Sequence, residues 1–524
     1  MSSTYSSNEL YEKALSTLNA LQSNAQTLAQ LRQNKAMTGA NHTETLTFLK
    51  ILNICPDDLT SLKCIHVTGT KGKGSTCAFV ESILQRLGFR TGFYSSPHLM
   101  HVYERIRVDG KPISKEKFAR YFFEVFSAIN EIKRTDQCMP AYFKFLTIMA
   151  MKVFLDEKVD VAIVEVGIGG EHDSTNCIPR PVVAGMTTLD LDHTSILGAT
   201  LPEIAWQKTG IMKPNSLFIT VQQSDEVISV IQRRSAERNC PYLVAPSIHD
   251  YVWPDDDVLP RFGLAGEFQH VNVSLALQLA RFWLLRTQLL GDAENFLKLS
   301  HVQCADLGAL NVDSEAPSHC PSTSCDSSSL AFKVPAPLID ALVECFWPGR
   351  AQILKRGNVT FCLDAAHTPK SIMHCANWYR SFVETQKNSP LCVLIFHYTS
   401  DRDPNVMLDK LKNSAFAVAL FCSTRLSRVV RPSSDAIDIN YDKDSEVEKC
   451  ARNEIIWKKI AKKSTTTYVF SYVEETLQFV DELARTNPTR QLCVLVTGSL
   501  HLVGGVLHFH QPNVFEAQPQ LQRS

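Results

Sequence analysis

Between Ile65 and Thr76 the chain reads Ile-His-Val-Thr-Gly-Thr-Lys-Gly-Lys-Gly-Ser-Thr. Gly69, Gly72 and Gly74 interleave with Lys71 and Lys73, after a mostly apolar run from Leu62 and before a helical pattern that opens at Ser75. Glycine lets a backbone approach a ligand closely and adopt angles other residues resist, which suits a tight turn. The N–H groups of such a turn, added to the positive end of the following helix, make a site for anionic phosphate. Lys73 then supplies a mobile charge for the outer phosphates, and the hydroxyl of Ser75 or Thr76 is within reach of a magnesium ion. The spacing, G-x-x-G-K-G-S, is shorter between its first two glycines than the common G-x-x-x-x-G-K-[ST], and it places Gly74 between lysine and serine. The plainer alternative is a glycine-rich turn with incidental lysines, but the strand before and helix after favour phosphate.

Two further clusters belong with this loop. Val161–Val166 is largely apolar on both faces, as central parallel strands are, yet it carries Glu165 near its end. A carboxylate there costs free energy unless it is paired or binds a cation. Gly167-Ile-Gly-Gly170 follows, another loop in which backbone can meet a ligand. A second buried strand, Pro181–Leu189, delivers Asp190-Leu-Asp-His-Thr194 at its carboxyl end. Ligands of open α/β sheets bind outside the carboxyl ends of the strands, and three strands here end in polar groups: the glycine loop, Glu165 and His193. A lone His193 reads first as a structural histidine; beside Glu165 and a loop that implies magnesium, metal duty is expected, although hard cations prefer oxygen. Lys208, in Ile204-Ala-Trp-Gln-Lys208, has mainly apolar neighbours, and snorkelling to solvent is its default reading.

The elements that must position these groups can be read from periodicity. Residues 8–33 form a polar helical prefix with sparse leucines. Phe79, Val80, Ile83, Leu84 and Leu87 repeat at helical spacing, with Gly88 placed to end the helix. Thr91–Tyr94 is a short strand running into Ser95-Ser-Pro-His-Leu99, and Phe118–Ile132 and about Ala141–Leu155 are helices. Gly263–Ala280 begins as a loop and becomes a helix. Asn311–Ser329 is rich in Ser, Pro, Asp and Cys and reads as a mobile insertion. A second unit begins near Cys345, with strands at Thr360–Asp364, Leu391–Phe396, Ala417–Phe421, Thr467–Phe470 and Leu492–Val496 alternating with helices. The charged tract Arg431–Asn453 reads as a surface loop within it.

At 524 residues the chain should hold two or three domains, and 44% hydrophobic with 20% charged residues is ordinary for a soluble globular protein. A formal charge of −1 leaves no electrostatic footprint for nucleic acid, and no apolar run is long and charge-free enough to span a bilayer. Sixteen cysteines without a C-x-x-C pair read as buried thiols of a reducing compartment. The serine-rich N-terminus, with Glu9 and Glu12, is a poor mitochondrial presequence, so a cytosolic protein is expected, with a mitochondrial form from another start codon as the alternative.

Six ordered motifs carry a family resemblance: Gly69–Ser75, Ser95–Leu99, Glu165–Gly170, Asp192–Thr194, Ile204–Lys208 and Asp364–His367, with Val496–Gly504 as a seventh. In this order the chain resembles the folylpolyglutamate synthases of the Mur ligase superfamily, densely over about residues 42–285 and more thinly over 346–505. The resemblance implies an α/β protein of two doubly wound domains: a larger phosphate-loop ATPase domain and a smaller, Rossmann-like C-terminal one. The expected division is a helical extension over 1–40, an ATP-binding domain over 41–345 with the insertion at about 311–329, and a glutamate-ligase domain over 346–524. It further implies an ATP-dependent ligase that phosphorylates the γ-carboxylate of a folate, so that the amino group of L-glutamate attacks an acyl phosphate.

Roles follow motif by motif, as what the resemblance implies. Gly69, Thr70, Lys71, Gly72, Lys73, Gly74, Ser75 and Thr76 match the phosphate-binding stretch, with Lys73 on the β- and γ-phosphates. Ser96, Glu165 and His193 match magnesium positions, and Lys208 matches a lysine carbamylated in relatives, where it helps hold a second magnesium ion; a monovalent cation is also expected. Arg350 and Asp364 match nucleotide-contacting positions, Gln269 and Asn272 a motif near the adenine, and His367 part of the reacting-substrate site. ATP is thus expected at an interdomain cleft, with folate and glutamate as partners and a monomer as the working state. Two positions depart from the family pattern: Phe268 stands where histidine is common, and Ala365 where glycine often is. A dihydrofolate synthase and a non-catalytic nucleotide switch are the rival readings; Met139–Leu146 looks more like the eukaryotic synthases that lengthen folates.

Overall fold

Alternating strands and helices build two sheets, each with its own core. The computed structural model describes residues 6–21, 41–132, 139–254, 258–289, 327–386, 389–398, 403–428, 443–461 and 464–515. They fall into two units, one of Met1–His98, Tyr103–Gly263 and Gln269–Cys345, the other of Leu99–Val102, Leu264–Phe268 and Phe346–Ser524.

In the first unit the strands are β1 (Ile65–Thr68), β2 (Thr91–Tyr94), β3 (Ile106–Val108), β4 (Lys111–Pro112), β5 (Val161–Glu165), β6 (Val183–Met186), β7 (Leu217–Thr220) and β8 (Tyr242–Val244). They lie in the order β4-β3-β2-β5-β1-β6-β7-β8. β1 runs parallel between β5 and β6, with Val67 opposite Glu165 and Thr68 opposite Met186. That register brings the phosphate loop, Glu165 and the segment after Met186 to one edge of the sheet. β3 and β4 instead form an antiparallel hairpin through Asp109 and Gly110, whose φ angles of 54° and 74° suit the mirror-image turns such hairpins favour. This hairpin makes the sheet mixed, a feature absent from the sequence reading.

The helix Lys73–Arg86 follows β1 and packs against Gln269–Thr287, whose Leu275, Ala276 and Leu279 are fully buried. It starts two residues earlier than expected, because Gly72 takes the cap position in the left-handed region at φ 93°. The prefix forms the helix Ser7–Asn19, opened by a capping box of Ser6 and Glu9. Its buried Tyr11, Ala14, Leu15 and Leu18 face the helix Lys115–Ile132, which places it in the first unit. The rest of the expected prefix, 22–33, lies outside the described residues.

The second sheet has β9 (Gln352–Arg356), β10 (Val359–Leu363), β11 (Leu391–Phe396), β12 (Val418–Cys422), β13 (Thr466–Phe470) and β14 (Leu492–Thr497). Their order is β13-β12-β11-β14-β10-β9, parallel except for the edge strand β9. One face packs Ile372, Tyr379, Leu408 and Trp457; the other packs Leu477, Val480, Leu502 and Val506.

Two expectations need restating. Of the tract Arg431–Asn453, the part from Lys443 onward belongs to a helix, Lys443–Ile460, and 431–442 lies outside the described residues. The helix is charged on its surface but buries Glu446, Cys450, Asn453 and Trp457, one seam at a spacing of four, three and four. The insertion at 311–326 also lies outside the described residues, while Ser327–Leu330 is a short 3₁₀ turn. Among the described residues no helix is long and apolar enough to cross a membrane.

Candidate active site

Two glycines of the phosphate loop are fixed by what surrounds them. A Cβ on Gly69 would stand 1.8 Å from the Thr187 hydroxyl oxygen, and one on Gly72 would stand 2.1 Å from Asn272 Oδ1. The amides of Thr70 and Lys71 both donate to the Thr188 carbonyl at 3.1 Å, and the Thr70 hydroxyl donates to the Asp190 carbonyl at 3.2 Å. Thr70 and Lys71 therefore use these groups to hold the loop against the segment after β6. The first intrahelical bond runs from the Thr76 amide to the Gly72 carbonyl, so the amides of Lys73, Gly74 and Ser75 are first-turn donors with no acceptor inside the helix. Those are the groups an anion at a helix N-terminus would take.

Three lysines gather at the loop. Lys73 Nζ donates to the Gly69 carbonyl at 3.2 Å, and Lys208 Nζ donates to the same oxygen at 2.8 Å. Lys71 pairs with Asp192 at 3.0 Å. Lys208 is 3% exposed; burial, then the Lys73 charge, pull its pKa well below the ordinary lysine range, against opposing pulls from Asp192 and Asp173. His193, in the left-handed region at φ 50°, stands among the same groups. Desolvation lowers its pKa; Asp192 opposes this, and Lys73, Lys208 and Lys71 add to it.

Glu165 is buried at the end of β5, and its Oε2 accepts the Ser96 amide at 3.2 Å, just before the cis Ser96–Pro97 bond. Cys77, in the phosphate-loop helix, senses both Glu165 and Lys73: burial first, then the carboxylate, push its thiol up while Lys73 opposes them. So Glu165 and Ser96 sit together, and the Lys73 charge acts on both Cys77 and His193. Among the described residues no group of three or more His, Cys, Asp and Glu side chains gathers to hold a metal ion. The expected set contains only two such residues, Glu165 and His193, and takes its third donor from the Ser96 hydroxyl. A buried carboxylate and a hydroxyl are oxygen donors of the kind a hard cation takes, so by donor type Glu165 and Ser96 suit magnesium.

In the second unit Asp364 is buried at the end of β10, accepting the Ala351 amide at Oδ2 and the Ala366 amide at Oδ1, both at 2.9 Å. Burial raises its pKa, and the Arg350 charge is the largest opposing influence. His367 is exposed; its Nδ1 lies 2.8 Å from the Ala365 carbonyl, and its amide donates to Ser371 Oγ at 3.1 Å. Asp364, Arg350 and His367 thus share the carboxyl edge of the second sheet.

No family model matches the chain. Curated relatives do. The chain is 36% identical to the folylpolyglutamate synthase, mitochondrial, of Cricetulus griseus, covering 96% of this chain and 92% of that protein. It is 35% identical to the protein of the same name from Homo sapiens, over 96% and 92%. The chain belongs to the folylpolyglutamate synthase family. Solved structures of folylpolyglutamate synthases share its fold. That of the Mycobacterium tuberculosis protein complexed with ADP and AMPPCP has a TM-score of 0.64 at 22% identity, over 92% of this chain and 99% of that one. An FPGS–AMPPCP–folate complex gives 0.63 at 21%, over 95% and 99%.

Within this chain, the residues singled out from sequence fall into groups. Gly69–Thr76, Lys208, His193, Glu165, Ser96 and Asn272 all belong to the first unit; Arg350, Asp364 and His367 belong to the second. Asn272, 4% exposed, touches the phosphate loop through the Thr76 hydroxyl at 3.4 Å and is held by Gln269 at 2.8 Å. Sequence reasoning missed the groups that hold the glycine loop 167–170. The Thr68 hydroxyl donates to the Gly169 carbonyl at 2.6 Å, and Asp173 accepts the Ile168 amide at 2.9 Å. Asp173 also accepts the Thr175 amide and hydroxyl, and that hydroxyl lies 2.9 Å from His66 Nε2. The available signal was Asp173 itself, a capping residue three positions beyond Gly170.

Proposed function

We propose that this chain is an ATP-dependent ligase that lengthens folates, joining L-glutamate to the γ-carboxylate of tetrahydrofolate through an acyl phosphate. The observation that carries the reading is the match to folylpolyglutamate synthases along 92% of their length, with the phosphate loop, Glu165 and Lys208 at one sheet edge. A carboxylate is a poor acyl donor, and phosphorylation gives it a leaving group. The protein's work is then to position three substrates and to offset developing phosphate charge.

In this reading the amides of Lys73, Gly74 and Ser75 and the Lys73 ammonium hold the ATP phosphates. Ser96, Glu165 and His193 would hold magnesium, which when bound offsets charge on the β- and γ-phosphates. Lys208 works as a carbamate. Its burial favours the neutral amine, which would attack the carbon of carbon dioxide and lose a proton to give a carbamate anion, whose oxygens are the kind hard cations prefer. Asp364 and Arg350 contact the nucleotide, and His367 the reacting substrates. The domain roles follow: 1–40 an extension, 41–345 ATP binding, 346–524 glutamate ligation. Monomeric operation in the cytosol, with a mitochondrial form as the alternative, completes the reading.

Mass spectrometry of products from tetrahydrofolate, glutamate and Mg-ATP tests it, with dihydropteroate as the parallel acceptor. A ladder of added glutamates on tetrahydrofolate is expected. Product from dihydropteroate alone, or ATP turnover independent of glutamate, would overturn it.

A further inference from the structure

Glu171 follows the glycine loop and takes part in none of the roles above. Its carboxylate is gripped by two guanidinium groups of the helix Asp225–Arg238: Arg234 on Oε2 and Arg238 on Oε1. Its backbone amide donates to the Gln207 carbonyl at 2.7 Å. Its carbonyl accepts Asn176 Nδ2 at 3.0 Å, and the same Asn176 group reaches the Gly210 carbonyl at 3.2 Å. Arg234 closes the ring, because its guanidinium carbon lies 4.3 Å from the centre of the Trp206 ring, with that of Arg233 at 4.5 Å. Trp206 and Gln207 immediately precede Lys208 in the helix Leu201–Lys208.

The backbones in this ring touch without intervening side chains. A Cβ on Gly170 would stand 2.6 Å from the Lys208 carbonyl, and one on Gly210 would stand 2.4 Å from the Glu171 Cα. A shift of Glu171 therefore passes directly to the residues on either side of Lys208. Charge-assisted bonds to two guanidinium groups are the strong kind, and deleting the carboxylate leaves Arg234, 5% exposed, with Glu237 at 3.3 Å as its remaining carboxylate partner. The movement has a direct readout, since the Lys208 amine is aimed at the Gly69 carbonyl.

We propose that Glu171 is a positioning residue for Lys208: gripped by Arg234 and Arg238, it sets where the end of the helix Leu201–Lys208 stands against the phosphate loop. Its bearing on turnover rests on the function proposed above; its bearing on Lys208 does not.

The test compares wild type with Glu171→Gln, which keeps the shape and removes the anion. Arg238→Gln is the second variant; it removes the more exposed of the two guanidinium groups, with a side chain 27% exposed against 6% for Arg234, and so suits the case in which the first does not fold. Acetic anhydride labelling of each folded protein, read by mass spectrometry, is expected to show increased modification at Lys208 with Lys73 unchanged. Turnover is expected to fall about tenfold to a hundredfold in kcat, as misplacement by about 1 Å does, with the KM for ATP within about threefold. Arg238→Gln should give the same pattern at smaller amplitude. Unchanged Lys208 labelling in a folded variant overturns the proposal. So does a rise shared by Lys208 and Lys73 with a lowered unfolding temperature, which marks a residue that only supports the fold. A wild-type protein without ligase activity would sink the function reading and leave the labelling result intact.

Discussion

Lys73 and Lys208 donate to one atom, the carbonyl oxygen of Gly69, at 3.2 and 2.8 Å. Those distances put the two nitrogens no more than 6.0 Å apart. Two cations at that separation repel by about 3 kcal/mol at an effective dielectric of about 20. The buried Lys208 is the one whose charge burial disfavours.

Lys73→Ala should abolish ligation and leave the fold intact, because it removes a partly exposed charge and no core volume. Turnover and cooperative unfolding, measured on the same preparation, check both halves. Near-normal turnover would remove Lys73 from the phosphate site.

Lys208→Ala should lose activity and recover part of it when formate or acetate is supplied in excess, since those anions return the missing oxygens. Lys208→Arg should stay inactive, because a guanidinium keeps its charge and cannot form a carbamate. An active arginine variant, or wild-type activity indifferent to rigorous bicarbonate removal, leaves Lys208 as a plain phosphate contact.

Glu165→Gln keeps the shape of the side chain and deletes its anion, so the magnesium concentration needed for half-maximal rate should rise steeply. A titration of rate against magnesium that superimposes on the wild-type curve would exclude Glu165 as a ligand.

Gly72→Ala forces a side chain into the left-handed region, at about 1–2 kcal/mol, and drives its Cβ against Asn272 Oδ1. Both the denaturation midpoint and ATP affinity should fall. A midpoint equal to wild type would mean the turn has another conformation available at little cost.

The second unit has an acid-sensitive contact. Glu446, 2% exposed, lies 3.0 Å from His397 Nε2 and 2.8 Å from Lys449 Nζ. Burial alone would raise its pKa, but contacts from His397 and Lys449 win and hold it at about 2 against an ordinary 4.5. A depressed carboxylate stabilises the fold above its unfolded pKa and loses that contribution as pH falls through the folded one. Stability should therefore decline between about pH 4.5 and pH 2 in wild type, and Glu446→Gln should flatten that limb. Equal acid limbs in the two proteins would show that Glu446 does not couple to unfolding.

The same helix shows where sequence reading stops. The tract Arg431–Asn453, which shares residues 443–453 with this helix, reads as a charged loop because two of the helix's four buried seam positions, Glu446 and Asn453, are polar and no apolar stripe marks it. The phosphate loop was legible because glycine spacing and strand-to-helix context are local. Glu165 was legible as a carboxylate ending an apolar strand, and the parallel register of β5 and β6 on β1 puts their carboxyl ends on one side of the sheet. Glu171 was not legible. Its partners Arg234 and Arg238 lie 63 and 67 residues away, and nothing in local composition distinguishes that pairing from any other surface charge.

β14 lies between β10 and β11 and joins them, yet it is the last strand of its sheet to be synthesised. Until Leu492 leaves the ribosome, β9–β10 and β11–β13 are separate fragments with apolar, unpaired inner edges, the kind that recruits other chains. β11 is complete about a hundred residues earlier, so the gap lasts roughly 5–20 s at typical elongation speeds. A premature stop after β13 would make that interval permanent. Such a product would carry an intact phosphate loop on its first unit and an open sheet on its second, and would be a substrate for chaperones or proteases rather than a slow enzyme.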